Sequence, residues 1–449
     1  MTRLLSLLIL VLFCAVSHAQ TWRKLAGTAA YVHRIKVFSA PDVLVACGDD
    51  APPYNELQNS SMEFYSGLGF RTSTDDGQTW SEPKLSGYSV RDIVRLPNDP
   101  NTWIASVVRP FTNTGGILRS TDGGQTWSGV PENDLLRIEQ FLSRPYDPPM
   151  ILSAQVNTDA GFQVSLDSAR SFSPPSLEPV QTRSIEISQA DTSLVFMAGD
   201  GRGLPGVFRS RDNGRSWSKD SAGLDGKRIL CVYPSRLLSN VVYCGTDSVA
   251  AGQSVGTGIF KSNDTGKSWF RLRGSEGKRV WRIIEHPLWG DVLIAAADSA
   301  GVLVSGNWGD GWERWVGGLT DTVVVRTVEL VRTPLALREI QAYIGTYGDG
   351  VYKSTAIVTG VDATVPAATV TVWPNPSMET STVTIPFATM ANLHIVRLEG
   401  GLATTVPPSA VTARSTAYTI DCSGLAAGAY VVTVTDGTMS SSTVLIVQR

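Results

Sequence analysis

Apolar residues in this chain come in short runs separated by turn residues, and the runs return in a fixed order. The first run of each unit opens with Arg: Arg91-Asp92-Ile93-Val94, Arg137-Ile138-Glu139, Arg183-Ser184-Ile185, Arg228-Ile229-Leu230 and Arg279-Val280-Trp281. A turn with Pro, Asn or Asp follows, as in Leu96-Pro97-Asn98-Asp99-Pro100. The second run is almost wholly apolar and ends in a small residue, as in Leu44-Val45-Ala46-Cys47-Gly48 and Val242-Tyr243-Cys244-Gly245. After a variable loop comes a third run, such as Gly258-Ile259-Phe260-Lys261-Ser262. It runs into a polar turn that reads Ser-x-Asp-x-Gly-x-Thr/Ser-Trp and recurs about every 45 residues. The pattern predicts four antiparallel strands per unit.

The polar turn has clear copies ending at Trp80, Trp127, Trp217 and Trp269, and degenerate ones ending at Phe172 and Trp312. Its residue types have local reasons. Asp accepts backbone N–H bonds from the residues that follow it. Gly adopts angles closed to other residues, and Trp offers a large apolar surface for packing between layers. A group repeated once per unit reads as a fold element rather than as a catalytic acid. First strands near Arg34, Arg91, Arg137, Arg183, Arg228, Arg279 and Arg326 predict a seven-bladed β-propeller in an all-β chain. The last unit stops after Tyr347–Ser354, and its missing Thr-Trp stands at the other end of the chain, in Thr21-Trp22-Arg23-Lys24-Leu25. The N-terminal strand is therefore expected to close the last blade and leave no open sheet edge there.

Flanking segments differ in composition. Arg3 and the apolar run Leu4–Val16, followed by Ser17-His18-Ala19, predict a signal peptide over 1–19 and a mature chain from Gln20. The propeller is expected over 20–358 and a linker over 359–369. Residues 370–449 are poor in charge and rich in Thr, Val, Ala and Ser, and predict a small Ig-like β-sandwich. The whole chain holds 449 residues, with 38 Lys and Arg against 41 Asp and Glu. That balance gives no field for nucleic acid, and no later apolar segment is long enough to cross a membrane as a helix. Cys231 and Cys244 lie on two strands around a turn centred near Leu237 and Leu238, which sets them opposite each other as a bridge or as two buried thiols.

The repeated turn resembles the Asp-box, or BNR-repeat, of a propeller superfamily that includes sialidases, the sortilin ectodomain, some endoglucanases and photosystem II assembly factors. The resemblance covers residues 21 to about 356 and implies fold more than function, because the group holds enzymes and pure binders. Residues 370–449 resemble the C-terminal sorting domain of type IX secretion cargo, through Trp373-Pro374-Asn375-Pro376, Leu425–Val434 and a basic terminal strand. That likeness implies recognition by the type IX translocon and a protein that is secreted or attached at the outer-membrane surface.

The expected site is the face where first strands begin. Arg34, Arg91, Arg137, Arg183, Arg228, Arg279 and Arg326 would focus positive potential at the channel mouth and suit an anionic peptide or glycan. Asp92, Glu139, Glu186, Glu285 and Glu329 follow those arginines closely and offer the alternative that they pair and hold register. The long insertion Asp49–Leu68 adds Tyr54, Glu56 and Glu63, and a second loop spans Thr246–Thr257. No metal spacing, phosphate loop or other cofactor signature is present. The leading expectation is a non-catalytic binding protein. The alternative is a glycoside hydrolase, sialidase-like or endoglucanase-like, acting through two carboxylates.

Overall fold

The computed structural model describes residues 21–38, 42–50, 67–109, 115–130, 138–144, 150–155, 161–173, 181–200, 205–219, 221–250, 253–286, 290–298, 300–315, 317–320, 322–331 and 339–357 in a first part, and 371–373, 380–384, 392–397, 411–414, 417–422, 428–435 and 440–447 in a second. The chain divides into two compact units, the larger ending at Gly360 and the smaller beginning at Val361.

In the larger unit seven antiparallel sheets follow one another along the chain, each a blade of a seven-bladed β-propeller. Blade 5 has the full set of strands, a to d: Arg228–Pro234, Val242–Ala250, Gln253–Ser262 and Phe270–Arg271. Among the described residues blade 1 (Tyr31–Phe38, Val43–Asp49, Gly67–Ser73) and blade 3 (Ile138–Arg144, Met150–Gln155, Phe162–Ser165) have three strands. Blade 7 consists of Val325–Val331, Glu339–Thr346 and Val351–Ile357, with Arg23–Leu25 hydrogen-bonded on its outer side in the register Arg23↔Lys353 and Leu25↔Val351. The Thr246–Thr257 segment, expected as a loop, instead continues the strand ladder out to Ala250↔Gln253. The β-branched residues Thr246, Val249, Val255 and Thr257 give it strand character that its Gly and Ser content conceals.

The polar turn between strands c and d has one geometry throughout. In blade 2 the Ser120 hydroxyl donates to Asp122 Oδ1 at 2.7 Å and accepts from Gly124 N at 2.9 Å. The carboxylate then accepts from Thr126 N at 2.9 Å and from the Thr126 hydroxyl at 2.5 Å. The same bonds hold Asp75 and Asp212, whose carboxyls are kept down at about 2 by the hydroxyls and amides of Thr79 and Ser216. In blade 6 Asn307 keeps the acceptor role toward Gly311 N at 2.9 Å. The two residues that follow the Asp, or Asn307 in blade 6, sit in the left-handed region in each turn. Gly214 has φ of 85°, and a Cβ there would meet Phe162 of the preceding blade at 2.4 Å, so only Gly fits. Thr265 precedes the equivalent Gly at φ of 64°, a conformation a β-branched residue resists. Thr265→Gly is therefore expected to stabilise the protein by about 1 kcal/mol, read as a higher urea midpoint at unchanged slope.

The Trp that ends each turn packs backward onto the previous blade. Trp127 meets Phe70 edge-on at 5.9 Å, Trp217 meets Phe162 at 5.2 Å, and Trp269 and Trp312 join the clusters of Phe196 and Tyr243. Trp22 completes the series. It is 5% exposed, lies 4.6 Å from Trp315 of blade 6, and donates from Nε1 to Trp315 O at 3.1 Å.

All four described cysteines are free and buried. The expected opposition of Cys231 and Cys244 is corrected by the register, which pairs Cys231 with Gly245 and Val232 with Cys244. The turn centres on Leu238, half a residue later than the sequence count, so the two thiols point to different faces and join different clusters. Burial pushes both thiols up, Cys231 to about 12.

The smaller unit holds two antiparallel sheets. One orders Thr371–Trp373, Thr380–Thr384, Ala417–Asp421 and Val411–Arg414; the other orders Asn392–Arg397, Gly428–Thr435 and Ser440–Val447.

Candidate functional site

Every innermost strand of the propeller carries one extra residue. The register passes from Val32 to Arg34, Val90 to Asp92, Ile138 to Gln140, Thr182 to Ser184, Ile229 to Cys231, Val280 to Arg282 and Val325 to Thr327. The residues skipped are His33, Arg91, Glu139, Arg183, Leu230, Trp281 and Arg326. Such a bulge sets two residues against one and re-aims a side chain. The arginines that align in sequence therefore occupy different positions. Arg91, Arg183 and Arg326 are bulge residues, Arg34 follows its bulge, and Arg228 and Arg279 precede theirs by two. They do not form one ring of equivalent side chains. Arg137, Tyr54, Glu56 and Glu63 lie outside the described residues.

At the mouth where the inner strands begin, a continuous belt of contacts crosses blades 5, 6, 7, 1 and 2. Asp247 is fully buried at the upper end of strand b in blade 5. It accepts from Arg228 Nε and Nη2 at 2.8 and 2.6 Å and from Arg279 Nε at 3.2 Å. Arg279 Nη1 reaches Asp298 at 3.0 Å, and Trp281 Nε1 donates to the same carboxylate at 2.7 Å. The Trp281 ring carries the Arg279 guanidinium at 4.7 Å and that of Arg326 at 3.5 Å, and Arg326 also lies 4.5 Å from the Tyr347 ring. Tyr347 meets Tyr31 edge-on at 5.0 Å. Beyond it His33 Nε2 stands 2.6 Å from Asp49 and Nδ1 3.3 Å from Arg91 Nη1. A guanidinium only donates, so Nδ1 is bare and Nε2–H faces Asp49. Burial, and then the Arg91 charge, lower the His33 pKa and keep the ring neutral. The Ser89 hydroxyl donates to Asp49 at 2.6 Å; His33 does not bridge serine and carboxylate as a catalytic histidine must.

One step deeper, around the channel axis, charges are compensated between blades. Arg34 Nε lies 3.5 Å from Asp92, as does Lys36 Nζ, and Arg282 stands between Glu186 at 3.9 Å and Glu329 at 3.7 Å. Burial opposes the Arg282 charge, but Glu329, Glu186 and Asp92 outweigh it and raise its pKa. Arg34 thus serves the axis, whereas Arg228, Arg279 and Arg326 serve the mouth.

The mouth carboxylates Asp49, Asp247 and Asp298 each accept from a hydroxyl, imidazole, guanidinium or indole donor, so none stands as a lone acid. Glu285 lies elsewhere, buried at the opposite end of its strand in blade 6. Among the described residues no group of His, Cys, Asp and Glu is placed to hold a metal ion. Sequence reasoning had passed over Asp247, Asp298, Trp281 and Tyr347. A signal existed for Asp298: Asp follows the small residue that ends strand b in Gly48-Asp49, Gly199-Asp200 and Ala297-Asp298, whereas Asp247 stands one residue further on, after Thr246.

Known proteins share parts of this architecture. In fold the chain is similar to an ancestral GH74 enzyme, with a TM-score of 0.57 at 15% identity over 95% of this chain and 63% of that one. It is also similar to YCF48 from Cyanidioschyzon merolae, with a TM-score of 0.51 at 12% identity over 74% of this chain and 98% of that one. At these identities the likeness is one of fold alone, and the chain spans only 63% of the length of the GH74 enzyme. No curated protein matches the chain. Among the described residues no helix is long and apolar enough to cross a membrane. Residues 371–448 match the family of secretion system C-terminal sorting domains, which identifies a secreted or cell-surface protein of the type IX route that carries a seven-bladed propeller ahead of its sorting tail.

Proposed function

We propose that this is an exported binding protein whose propeller mouth captures an anionic ligand, an acidic peptide or an acidic glycan, without chemical turnover. The observation that carries the reading is the belt from Arg228 through Arg279, Trp281 and Arg326 to Tyr347, in which cations are held in fixed geometry by buried carboxylates and aromatic rings. Preorganised guanidinium groups beside aromatic faces suit bidentate capture of carboxylate or sulfate. The side chains of Arg228 and Arg279, 25% and 26% accessible, leave part of each group to solvent. Arg137 and the Tyr54, Glu56 and Glu63 segment are proposed to extend the same face.

Finer features complete the reading. The repeated turn is an Asp-box, residues 1–19 are a signal peptide, the Arg23–Leu25 strand acts as the closure of the ring, and the C-terminal sheets form an Ig-like sandwich that delivers the propeller to the outer-membrane surface. The experiment is a screen of the protein against acidic peptides, sulfated and carboxylated glycans and fluorogenic glycosides. Salt-sensitive binding that falls at least tenfold in Arg326→Ala, with no turnover, is the expected result. Turnover abolished by replacing one mouth carboxylate would instead establish the hydrolase reading.

A further inference from the structure

On the face of the ring opposite the mouth, the residue just before the turn serine differs between blades. It is Arg119, Arg209, Lys261 and Lys353 in blades 2, 4, 5 and 7, and Thr72, Val164 and Val304 in blades 1, 3 and 6. Each of the four cations reaches the turn of the blade that follows its own. Arg119 Nε donates to Ser168 O at 2.9 Å, Arg209 Nη1 to Thr265 O at 2.8 Å and Lys261 Nζ to Trp308 O at 3.0 Å. Across the closing seam Lys353 bonds to the Asp76 carboxylate. Where the cation is Lys, the strand-b residue opposite it is a tyrosine whose ring lies against the ammonium. That tyrosine donates to the same turn residue, Tyr243 to Trp308 O at 2.8 Å and Tyr343 to Asp76 O at 3.3 Å and to its carboxylate. Where the cation is Arg, the residue opposite is Ile104 or Phe196, which has no hydroxyl.

The residue reached is always the one after the turn Asp or Asn. Ser168, Thr265, Trp308 and Asp76 stand there at φ of 62°, 64°, 59° and 65°, in a region that disfavours most side chains. The turns of blades 2 and 4 follow Thr72 and Val164, so no cation stands ahead of them at this position, and they carry Gly123 and Asn213 instead. Gly and Asn enter the left-handed region readily. The cation also acts on a peptide unit that is already held at its other end. The N–H of that unit donates to the turn serine, Ala169 N to Ser165 at 2.9 Å, Gly266 N to Ser262 at 2.8 Å and Gly309 N to Ser305 at 3.0 Å. A charge-assisted bond to the carbonyl fixes the peptide plane against the flip that would relieve the residue before it.

We propose that the cation before the turn serine is a conformational latch on the neighbouring blade. It pins the next turn in the left-handed conformation, and so allows residues that resist that conformation to stand in it. The order of one turn is thus set by a side chain of the blade before it, in one direction round the ring. The joints from blade 1 to 2 and from blade 3 to 4 do without the latch because Gly123 and Asn213 do not need it.

The test is amide hydrogen exchange on the full chain under native conditions. The Gly266 and Ser268 amides bond to Ser262 and Asp264. In Arg209→Met they are expected to exchange about tenfold faster, as befits a residue no longer held in the left-handed region. Gly214 and Ser216, in the turn of the substituted blade itself, are expected to keep the wild-type rate. Adding Thr265→Gly is expected to bring Gly266 and Ser268 back to within about twofold of wild type, because Gly holds the turn unaided. Arg119→Met, with and without Ser168→Gly, repeats the comparison at the joint of blades 2 and 3, read at Ala169 and Ser171. If one substitution prevents folding, the other joint decides. Unchanged rates in the next blade, acceleration spread over the whole propeller at both joints, or no rescue by Gly would overturn the proposal.

Discussion

Trp22→Ala is expected to lower the stability of the propeller by about 3–5 kcal/mol, the range for removing a large aromatic from a packed core. The indole is 5% exposed and belongs to a cluster that joins Ile294, Val304 and Trp315 of blade 6 to Val325 and Ile344 of blade 7. Its loss removes the Nε1 bond to Trp315 O as well as the ring contact. Size alone does not set this residue apart, since Trp269 is equally buried at 6%. The difference is connectivity. Trp269 is carried by a chain that enters and leaves its blade, whereas Trp22 holds down a three-residue strand, Arg23–Leu25, that reaches blade 7 from the other end of the sequence. Hydrogen exchange separates the two cases. In Trp22→Ala the amides of Val351 and Lys353, which face Leu25 and Arg23, are expected to exchange faster than the global unfolding rate, and in Trp269→Ala they are not.

Glu285→Gln is expected to stabilise the protein at alkaline pH and to leave it unchanged at acid pH. Glu285 is 3% exposed between blades 5 and 6, with Oε2 accepting from Arg236 N at 2.7 Å and Oε1 standing 3.4 Å from the Ser235 hydroxyl. Burial raises its pKa from 4.5 to about 7, and the Arg236 amide and charge only partly oppose that. Between those values the folded state holds a proton that the unfolded state has lost. The contribution is therefore full below about pH 4.5 and disappears as pH rises through 7, on the order of 3 kcal/mol in all. Gln keeps the neutral shape and acceptor at every pH. Urea melts of both proteins should coincide near pH 4.5 and diverge by on the order of 3 kcal/mol by pH 8.5, with Gln the more stable. A difference independent of pH would mean that Glu285 is not buried as described.

The fold was largely readable from sequence because the turn motif is rigidly local. Its Ser, Asp, Gly and Thr bond to one another within five residues, so each copy announces itself wherever it stands. Even Ala169, at φ of 60°, and Asn307 keep the geometry despite departing from the pattern. The mouth was only half readable. Aligning units on their arginines mixed three register positions, because the strands do not keep a period of two where they cross the axis. The apolar residues held the better ruler. Val32 and Ile35, Val90 and Ile93, Val280 and Ile283, and Val325 and Val328 are all buried and all three apart, a spacing impossible on one face of a regular strand. That spacing marks the bulge, and the two residues within it are the ones that carry the chemistry. The compensation of Arg34 and Arg282 by Asp92, Glu186 and Glu329 was foreseeable only as an alternative, since which blade each partner comes from depends on the curvature of the ring.

The extra residue on each inner strand also divides labour. In blade 6 Trp281 meets its neighbours at the rim while Arg282 addresses the spindle; in blade 1 His33 and Arg34 split the same way. Rim and spindle are thus specified by adjacent but separate letters in these two sectors. Drift at one leaves the other intact, so a lineage built on this frame can trade its outer specificity sector by sector while the hub that keeps the wheel true stays as it is.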